Sequence, residues 1–500
     1  MCASHRVRSE ANCGRGVRGR SRRRLAGFTL LAAAAWACAF PDTAAAEKRG
    51  GAGSGKMNVL FIAIDDLNDW TSFLGGYPNV NTPNLRRLAE RGVFFTRAYC
   101  SAPACNPSRA SLLCGVRPST SGVYHNANPW RAQMPDAVTL PQHFTAGGYK
   151  VWGGGKIFHG GFKDPESWEV YFNRPGDPAP EVRPANGIPN TAHFDWGPVP
   201  VGDEAMGDTQ VTDWAVEFLA REHDRPFFLA AGMFRPHLPW YAPQKYFDRY
   251  PLDDVVLPNV KEDDLDDVPE IGRRMARPEG DHAKVLATGN WEKAVQGYLA
   301  SITYVDGQVG RLLDALDKRP DAENTAIVLW TDHGWHLGEK LHWRKFTLWE
   351  EAGRVPMIWV VPGLTAPGTR CDRTVSLLDV YPTLADVCGL PVGDHLEGDS
   401  LKPLLRDPAA EWSRPAITTH GRNNHAVRCQ RYRYIRYADG SEELYDHEKD
   451  PMEWTNLADD PRLAEVKKEL AEWLPKVNVE EGPRKRNSQR KPAKSRRKKS

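Results

Sequence analysis

Val59 to Asp66 reads V-L-F-I-A-I-D-D, six apolar residues in a row followed by two adjacent carboxylates. A continuous apolar run of this length, without the alternation of a half-exposed strand, predicts a strand buried on both faces. The pattern recurs along the chain. Tyr149 to Trp152 runs into a glycine triplet and then Lys156 and His159. Phe227 to Ala231 leads to Arg235, Pro236 and His237, and Ala326 to Thr331 ends in Asp332 and His333. Val355 to Val361 is a further run, with Lys345 upstream of it. Helical patterns such as Leu85 to Arg91 and Tyr298 to Asp317 lie between these runs. The expectation is an α/β fold, a large sheet flanked by helices. In an open sheet of that kind ligands gather at the carboxyl ends of the strands. Acids, lysines and histidines are delivered to that edge here.

The carboxylates bear on the cofactor. Asp65, Asp66 and Asp332 are hard oxygen ligands from two strand ends, and three converging anions repel one another unless a cation lies between them. Taken singly, each pair reads equally well as turn chemistry. An oxygen-rich set favours Ca2+, and less so Mg2+, over zinc, while His333 keeps zinc or manganese open.

Cys105 to Gly115 reads C-N-P-S-R-A-S-L-L-C-G. Pro107 biases Asn106 to an extended conformation, and Ser108 is placed to cap a helix beginning near Arg109. Cys105 would then precede a helix N-terminus, where anionic groups are favoured, which makes it an activated-nucleophile candidate. Arg109 is placed to hold an anionic oxygen. The plain alternative is a buried small hydrophobe or half of a disulfide.

The stretch resembles the signature of the type I sulfatases, C-x-P-S-R followed by three variable residues, an apolar residue, a small residue and Gly. It matches at Cys105, Pro107, Ser108, Arg109, Leu113 and Gly115, with Cys114 where Thr is commoner. T-P-N-L at Thr82 to Leu85, G-K-I-F-H at Gly155 to His159, R-P-H-L-P at Arg235 to Pro239 and T-D-H-G-W at Thr331 to Trp335 resemble the iduronate-2-sulfatase branch in order and spacing. The likeness runs from about Asn58 through Glu443 to Pro451, nearly the whole body. It implies an alkaline-phosphatase-like domain with a smaller C-terminal α+β subdomain bearing a short antiparallel sheet. The corresponding domain expectation is an export signal over 1–46, a catalytic domain over 47–415, the subdomain over 416–480 and a disordered basic tail over 481–500.

The resemblance also implies roles. Cys105 would be converted to formylglycine by a formylglycine-generating enzyme, and its hydrated aldehyde would be the nucleophile. Asp65, Asp66, Cys105, Asp332 and His333 would form the calcium site, with His333 where many relatives have Asn. Arg109, Lys156, His159, His237 and Lys345 would surround a sulfuryl group, for which charge-assisted bonds are the natural partners. Asp332 would act as base on the nucleophile, Lys345 or His237 as acid to the leaving oxygen, and His159 as base in releasing sulfate. The implied partner is a sulfated carbohydrate.

The formal charge of the 500 residues is +2, but the leader to Ala46 carries +6 and the segment from Arg484 to Ser500 carries +10, so the body stands near −14. No nucleic-acid partner is expected of such a body. The Arg-rich start, the apolar run from Leu25 to Phe40 and Ala44 to Ala46 read as an export signal with a small-residue cleavage site. That run is too short and alanine-rich for a membrane span, so no stable membrane insertion is expected and the product is periplasmic or secreted. Six cysteines follow the leader, which excludes a disulfide scaffold in a chain of this size. Two other classes fit part of the pattern: a phosphate or phosphonate ester hydrolase of the same superfamily, and a non-catalytic protein that binds sulfated glycans.

Overall fold

The computed structural model describes residues 56–191 and 193–485; the expected export signal, and the basic run beyond Lys485, lie outside the described residues. The V-L-F-I-A-I run forms β1 (Asn58–Ile64), buried along its whole length inside an eight-stranded sheet. The other strands are β2 (Val93–Tyr99), β3 (Lys150–Gly155), β4 (Val170–Phe172), β5 (Phe227–Met233), β6 (Thr325–Thr331), β7 (Arg354–Val360) and β8 (Thr369–Ser376). Their spatial order is β8-β2-β7-β6-β1-β5-β3-β4. Every pairing is parallel except those of β7, which runs antiparallel to β2 and β6.

Beside the sheet lie α1 (Pro83–Ala89), α2 (Cys105–Cys114), α3 (Gly207–Leu219), α4 (Glu270–Ala276), α5 (Asp281–Thr288) and α6 (Trp291–Asp317). Successive strand residues point to opposite faces, and β1 feeds two cores in this way. Val59, Phe61 and Ala63 pack with Leu112 and Leu113 of α2, whereas Leu60, Ile62 and Ile64 pack with Leu85 of α1 and Val305 and Val309 of α6. Helices on both faces explain why the strands read as unbroken apolar runs.

Sequence reading missed β4, which is only three residues long, and two strands whose pattern is interrupted. β2 is V-F-F-T-R-A-Y, with Arg97 half-buried, and β8 is T-R-C-D-R-T-V-S at the edge of the sheet, where one backbone side and several side chains meet solvent.

A second sheet follows, an antiparallel meander of β9 (Ala416–Thr419), β10 (His425–Arg428), β11 (Tyr432–Arg436) and β12 (Glu442–Asp446), and then α7 (Ala464–Ala471). Its Arg433, with no exposed side chain, is ion-paired to both Glu350 and Glu453, and Arg428 adds a contact of 3.2 Å to Glu350. The pairs with Glu350 fasten the meander to the helical turn Glu350–Gly353 just before β7, and the pair with Glu453 ties it to the chain that follows β12. The chain then departs from the expected tail: the amides of Val479, Gly482 and Lys485 donate to the carbonyls of Ser119, Gly122 and Ala127. Residues 481–485 therefore pack on the 119–128 loop, because their backbone finds partners that charge composition alone cannot reveal. Among the described residues no helix is long and apolar enough to cross a membrane.

One close approach ties this architecture to chemistry. A Cβ on Gly232, in β5, would lie 2.4 Å from the Lys156 carbonyl oxygen and 2.6 Å from its amide nitrogen, and backbone cannot swing aside as a side chain can. Gly232→Ala is expected to cost about 1–3 kcal/mol of stability through overpacking and to displace Lys156. Urea unfolding and turnover measured on the same sample check this; native stability with native activity would show that the strand ends have more slack than the packing indicates.

Candidate active site

The sheet edge at the carboxyl ends of β1, β3, β5 and β6 assembles the site. In a regular strand Asp65 and Asp66 would point to opposite faces. Asp66 instead adopts a left-handed backbone, φ 60°, a conformation that Asp tolerates better than most residues. Both carboxylates then join Cys105, Asp332 and His333 in one group, each offering a ligand atom within 4.8 Å of the others. Lys345 reaches the same edge by a different route. Because β7 is antiparallel, the loop before it lies where the other strands end.

Cys105 is the first residue of α2 rather than a residue ahead of it, and the helix starts there, not near Arg109. Ser108 does not cap it; its hydroxyl donates to the Asp332 carbonyl at 2.5 Å. Asn106 is helical rather than extended, because its amide N–H donates to Asn126 Oδ1 and its side chain to the His125 and Asn128 carbonyls. Those tertiary bonds outweigh the local bias of the following proline.

The Cys105 sulfur lies 3.0 Å from Lys345 Nζ, 3.4 Å from His333 Nε2, 3.7 Å from Lys156 Nζ and 4.0 Å from Asp66 Oδ1. Burial pushes its thiol up to about 12 despite the lysines Lys156 and Lys345. Burial thus works against the activation expected from the helix N-terminus, and the two lysines work for it.

Arg109 ties the strand ends together. Its Nε donates to Asp332 Oδ2 at 2.8 Å, its Nη2 to Asp65 Oδ1 at 3.0 Å, and its Nη1 to the carbonyls of Lys156 and Ile157. It thus grips acids instead of pointing a free face at an oxyanion. Burial opposes ionisation of Asp332, but Arg109 and then His333 hold its carboxyl well below the usual carboxylate range. Lys156 pairs with Asp65 and Lys345 with Asp66, the latter at 2.6 Å. Asp66 Oδ2 nevertheless remains buried without a hydrogen-bond partner. Burial, helped by Asp65 and Asp332 and opposed by Lys345, raises Asp66 to about 7.

The histidines differ in placement. His333 Nδ1 donates to the Gly334 carbonyl, which turns the Nε2 lone pair toward Asp66 Oδ1 at 3.3 Å and Asp332 Oδ2 at 3.4 Å. Burial pushes its pKa down to about 4, so an unprotonated nitrogen faces carboxylate oxygens. Such an arrangement is favourable when a cation sits between them. That donor set and the orphaned Asp66 oxygen fit a divalent metal held by oxygen with one imidazole. His237 stands at the rim, its Nδ1 bonded to the Leu238 carbonyl and its Nε2 3.8 Å from Asp66 Oδ2. His159 makes no hydrogen bond or ion pair with the group, and its buried Nδ1 has no partner among the described residues. Burial and then Lys156 push it down to about 3.

The pattern of the sulfatase family matches residues 57–390 of this chain. The chain belongs to the sulfatase family. The overlapping pattern of the N-sulphoglucosamine sulphohydrolase C-terminal region matches residues 338–480. A sulfatase of Formosa agariphila is 40% identical over 445 residues, covering 85% of this chain and 87% of that protein. Iduronate 2-sulfatase of Mus musculus is 32% identical over 397 residues, covering 69% of this chain and 71% of its own length. Among solved structures, a phosphonate monoester hydrolase from Silicibacter pomeroyi superposes with a TM-score of 0.68 at 23% identity, covering 83% of this chain and 94% of its own. These likenesses make this sulfatase a sulfuric ester hydrolase with an alkaline-phosphatase-like fold.

Two residues support the site from behind: Tyr298, which sequence reading placed only in a helix, and Asn128, which belongs to the stretch that resembles the iduronate-2-sulfatase branch. Tyr298, in α6, donates its hydroxyl to the Asp66 carbonyl at 2.8 Å and accepts from the Asn68 amide at 2.9 Å, which pins the left-handed turn. Asn128 Oδ1 accepts from the amides of Tyr124 and His125, and so shapes the loop that grips Asn106. Tyr298→Phe leaves a buried N–H and C=O unpaired. Its expected cost is about 1–3 kcal/mol, with turnover falling by more than the stability loss explains; an unchanged urea midpoint and rate would remove Tyr298 from the site.

Proposed function

We propose that this sulfatase hydrolyses sulfate esters of a sulfated, uronate-type sugar, using formylglycine made from Cys105 and a divalent cation, Ca2+ in preference to Mg2+. The observation that carries the reading is the shell around the Cys105 sulfur, where Lys345, His333, Lys156 and Asp66 all lie within 4.0 Å. Burial raises this thiol and so disfavours a thiolate nucleophile, which supports a residue that acts after conversion. The identity with iduronate 2-sulfatase supports the sugar class.

Asp65, Asp66, Asp332 and His333 would hold the metal. When bound, it would supply Lewis-acid polarisation of a sulfuryl oxygen. The carboxylates Asp65, Asp66 and Asp332 are already matched by Arg109, Lys156 and Lys345. A divalent cation therefore leaves an excess of positive charge, the complement of an anionic ester.

Formylglycine at position 105 would supply a hydrated aldehyde as nucleophile. Asp332, held ionised chiefly by Arg109, is a ready proton acceptor beside it. Lys345 stays protonated through Asp66 despite its burial, and its ammonium is 3.0 Å from the Cys105 sulfur, which stands where the formylglycine diol would be, placed to orient a sulfuryl oxygen. His237, with Nε2 at the rim and partly open to solvent, is positioned to serve the leaving oxygen. His159 completes the assignment as the base of the second half-reaction, its unpartnered Nδ1 available to a bound ligand. Maturation by a formylglycine-generating enzyme and export to the periplasm or medium belong to the same reading.

A phosphohydrolase is the second reading, favoured only by the shared fold of the phosphonate monoester hydrolase. The mass of the tryptic peptide containing Cys105, from protein purified from its native host, is expected to show formylglycine. An aryl sulfate should be turned over in preference to the matching aryl phosphate. Unmodified cysteine, or turnover of the phosphate alone, would overturn the reading. Cys105→Ser is expected to lose multiple turnover, since a sulfated serine has no second hydroxyl to expel sulfate.

Dialysis against a chelator is expected to abolish turnover, with Ca2+ restoring it better than Mg2+. Full activity in the metal-free protein would remove the metal from the mechanism.

A further inference from the structure

A cleft of about 660 Å³ flanks the loop that carries Lys345, lined by its neighbours Arg344 and Phe346. Its wall is continuous with the site. Phe346 lines it, and the Phe346 amide donates at 3.1 Å to the carbonyl of Pro103, two residues before Cys105. His342, also lining it, meets the Lys345 carbonyl through Nε2 at 2.8 Å. On the far side α4, α5 and the turn between them contribute Arg274, Arg277 and Lys284.

The charge of this wall is one-sided. Among the described residues that line it Asp281 is the single acid, and it is already paired with Arg344 at 2.6 Å. Arg274 stands 3.9 Å from Glu270, a weak exposed pair. Among the described residues Arg277 and Lys284 have no acidic partner, and both are exposed. Unneutralised cations on a body whose own charge is near −14 go against the average field of the protein. Arg277, Arg344 and Phe346 also have left-handed backbones, with φ of 52°, 82° and 79°. Bulky residues rarely adopt such conformations, which cluster where a fold positions side chains for ligands.

We propose that this cleft is a second anion subsite, in which Arg277 and Lys284 take a second anionic group of the substrate, either a carboxylate on the sugar that bears the scissile sulfate ester or a sulfate on the adjoining sugar. The preferred substrate is then an oligosaccharide with at least two anionic groups, not an isolated sulfate monoester. This deepens the sulfatase reading and rests on it for the location of the scissile ester. Lys345 sits at the junction, its ammonium 3.0 Å from the Cys105 sulfur and its carbonyl bonded to His342 of the cleft wall. A substrate bridging the two sites would therefore be held on both sides of the bond that breaks.

The test separates binding from turnover. Full-length Cys105→Ala protein is titrated with a 2-O-sulfated uronate–glucosamine disaccharide carrying a second sulfate on the glucosamine, with its carboxyl-reduced form, and with its form lacking the glucosamine sulfate. The fluorescence of Trp343, in the same wall, reports binding. Adding Arg277→Ala and Lys284→Ala together is expected to weaken Kd for the intact disaccharide about tenfold and to flatten its salt dependence. The anion that is read is identified by which truncated disaccharide already binds weakly and responds least to the double substitution. Arg277→Lys in place of Arg277→Ala is expected to recover most of the loss, which a merely structural role would not explain. Lys284→Gln alone gives a milder change at an exposed position should the double variant be poorly folded. A Kd unchanged within about twofold by every substitution, equal affinity for the three disaccharides, or no binding of any of them would overturn the subsite. The sulfatase reading fails on different data, the absence of sulfate ester turnover by the protein with its natural Cys105.

Discussion

One guanidinium holds the reactive edge of this protein together. Arg109 bonds Asp65 after β1, Asp332 after β6 and two carbonyls just after β3, so three strand ends share a single planar donor. Its side chain is wholly buried, and a buried charge is tolerable only when paired and fully hydrogen-bonded. The acids are in turn tolerable only because Arg109 and the two lysines face them. Remove any member and the remainder becomes an uncompensated charge in a medium that solvates it poorly. The sheet, with helices on both faces, supplies that medium and the rigidity that keeps the group converged.

This arrangement is nearly balanced in charge but not satisfied in geometry. Asp66 keeps one carboxylate oxygen without a donor, and His333 turns an unprotonated nitrogen toward two acids. A protein that buried this set only for stability would gain by replacing it with apolar residues of similar volume. Its retention is understandable if the missing partner is an ion. Burial raises the Cys105 thiol in the same shell, which disfavours a thiolate there.

Much of this was legible in the chain. The five apolar runs ending in functional residues predicted β1, β3, β5, β6 and β7, and each is a buried strand of the large sheet. The edge strand β8 and the interrupted β2 escaped because a polar residue inside a strand has no local mark that distinguishes it from a loop. The Cys105 motif pointed to the family to which the chain belongs, whereas its local structure was misread. Pro107 and Ser108 have strong intrinsic preferences, but Asn126, Asn128 and the Asp332 carbonyl offered better bonds.

The sequence by itself determined the α/β architecture and the residue types at the carboxyl edge, since unbroken apolar runs followed by acids, lysines and histidines admit little else. Only the tertiary structure decided how those residues meet. The left-handed turn at Asp66 brings adjacent carboxylates to one side, the antiparallel β7 delivers Lys345 from the opposite direction, and Tyr298 pins the turn from a helix more than two hundred residues away in sequence. None of these has a local signature, because each is a contact between distant segments whose energy exists only once the sheet has formed. The cationic wall of the neighbouring cleft is of the same kind. Arg277 and Lys284 read as ordinary surface charges until the fold sets them, without acidic partners, beside the loop that carries Lys345.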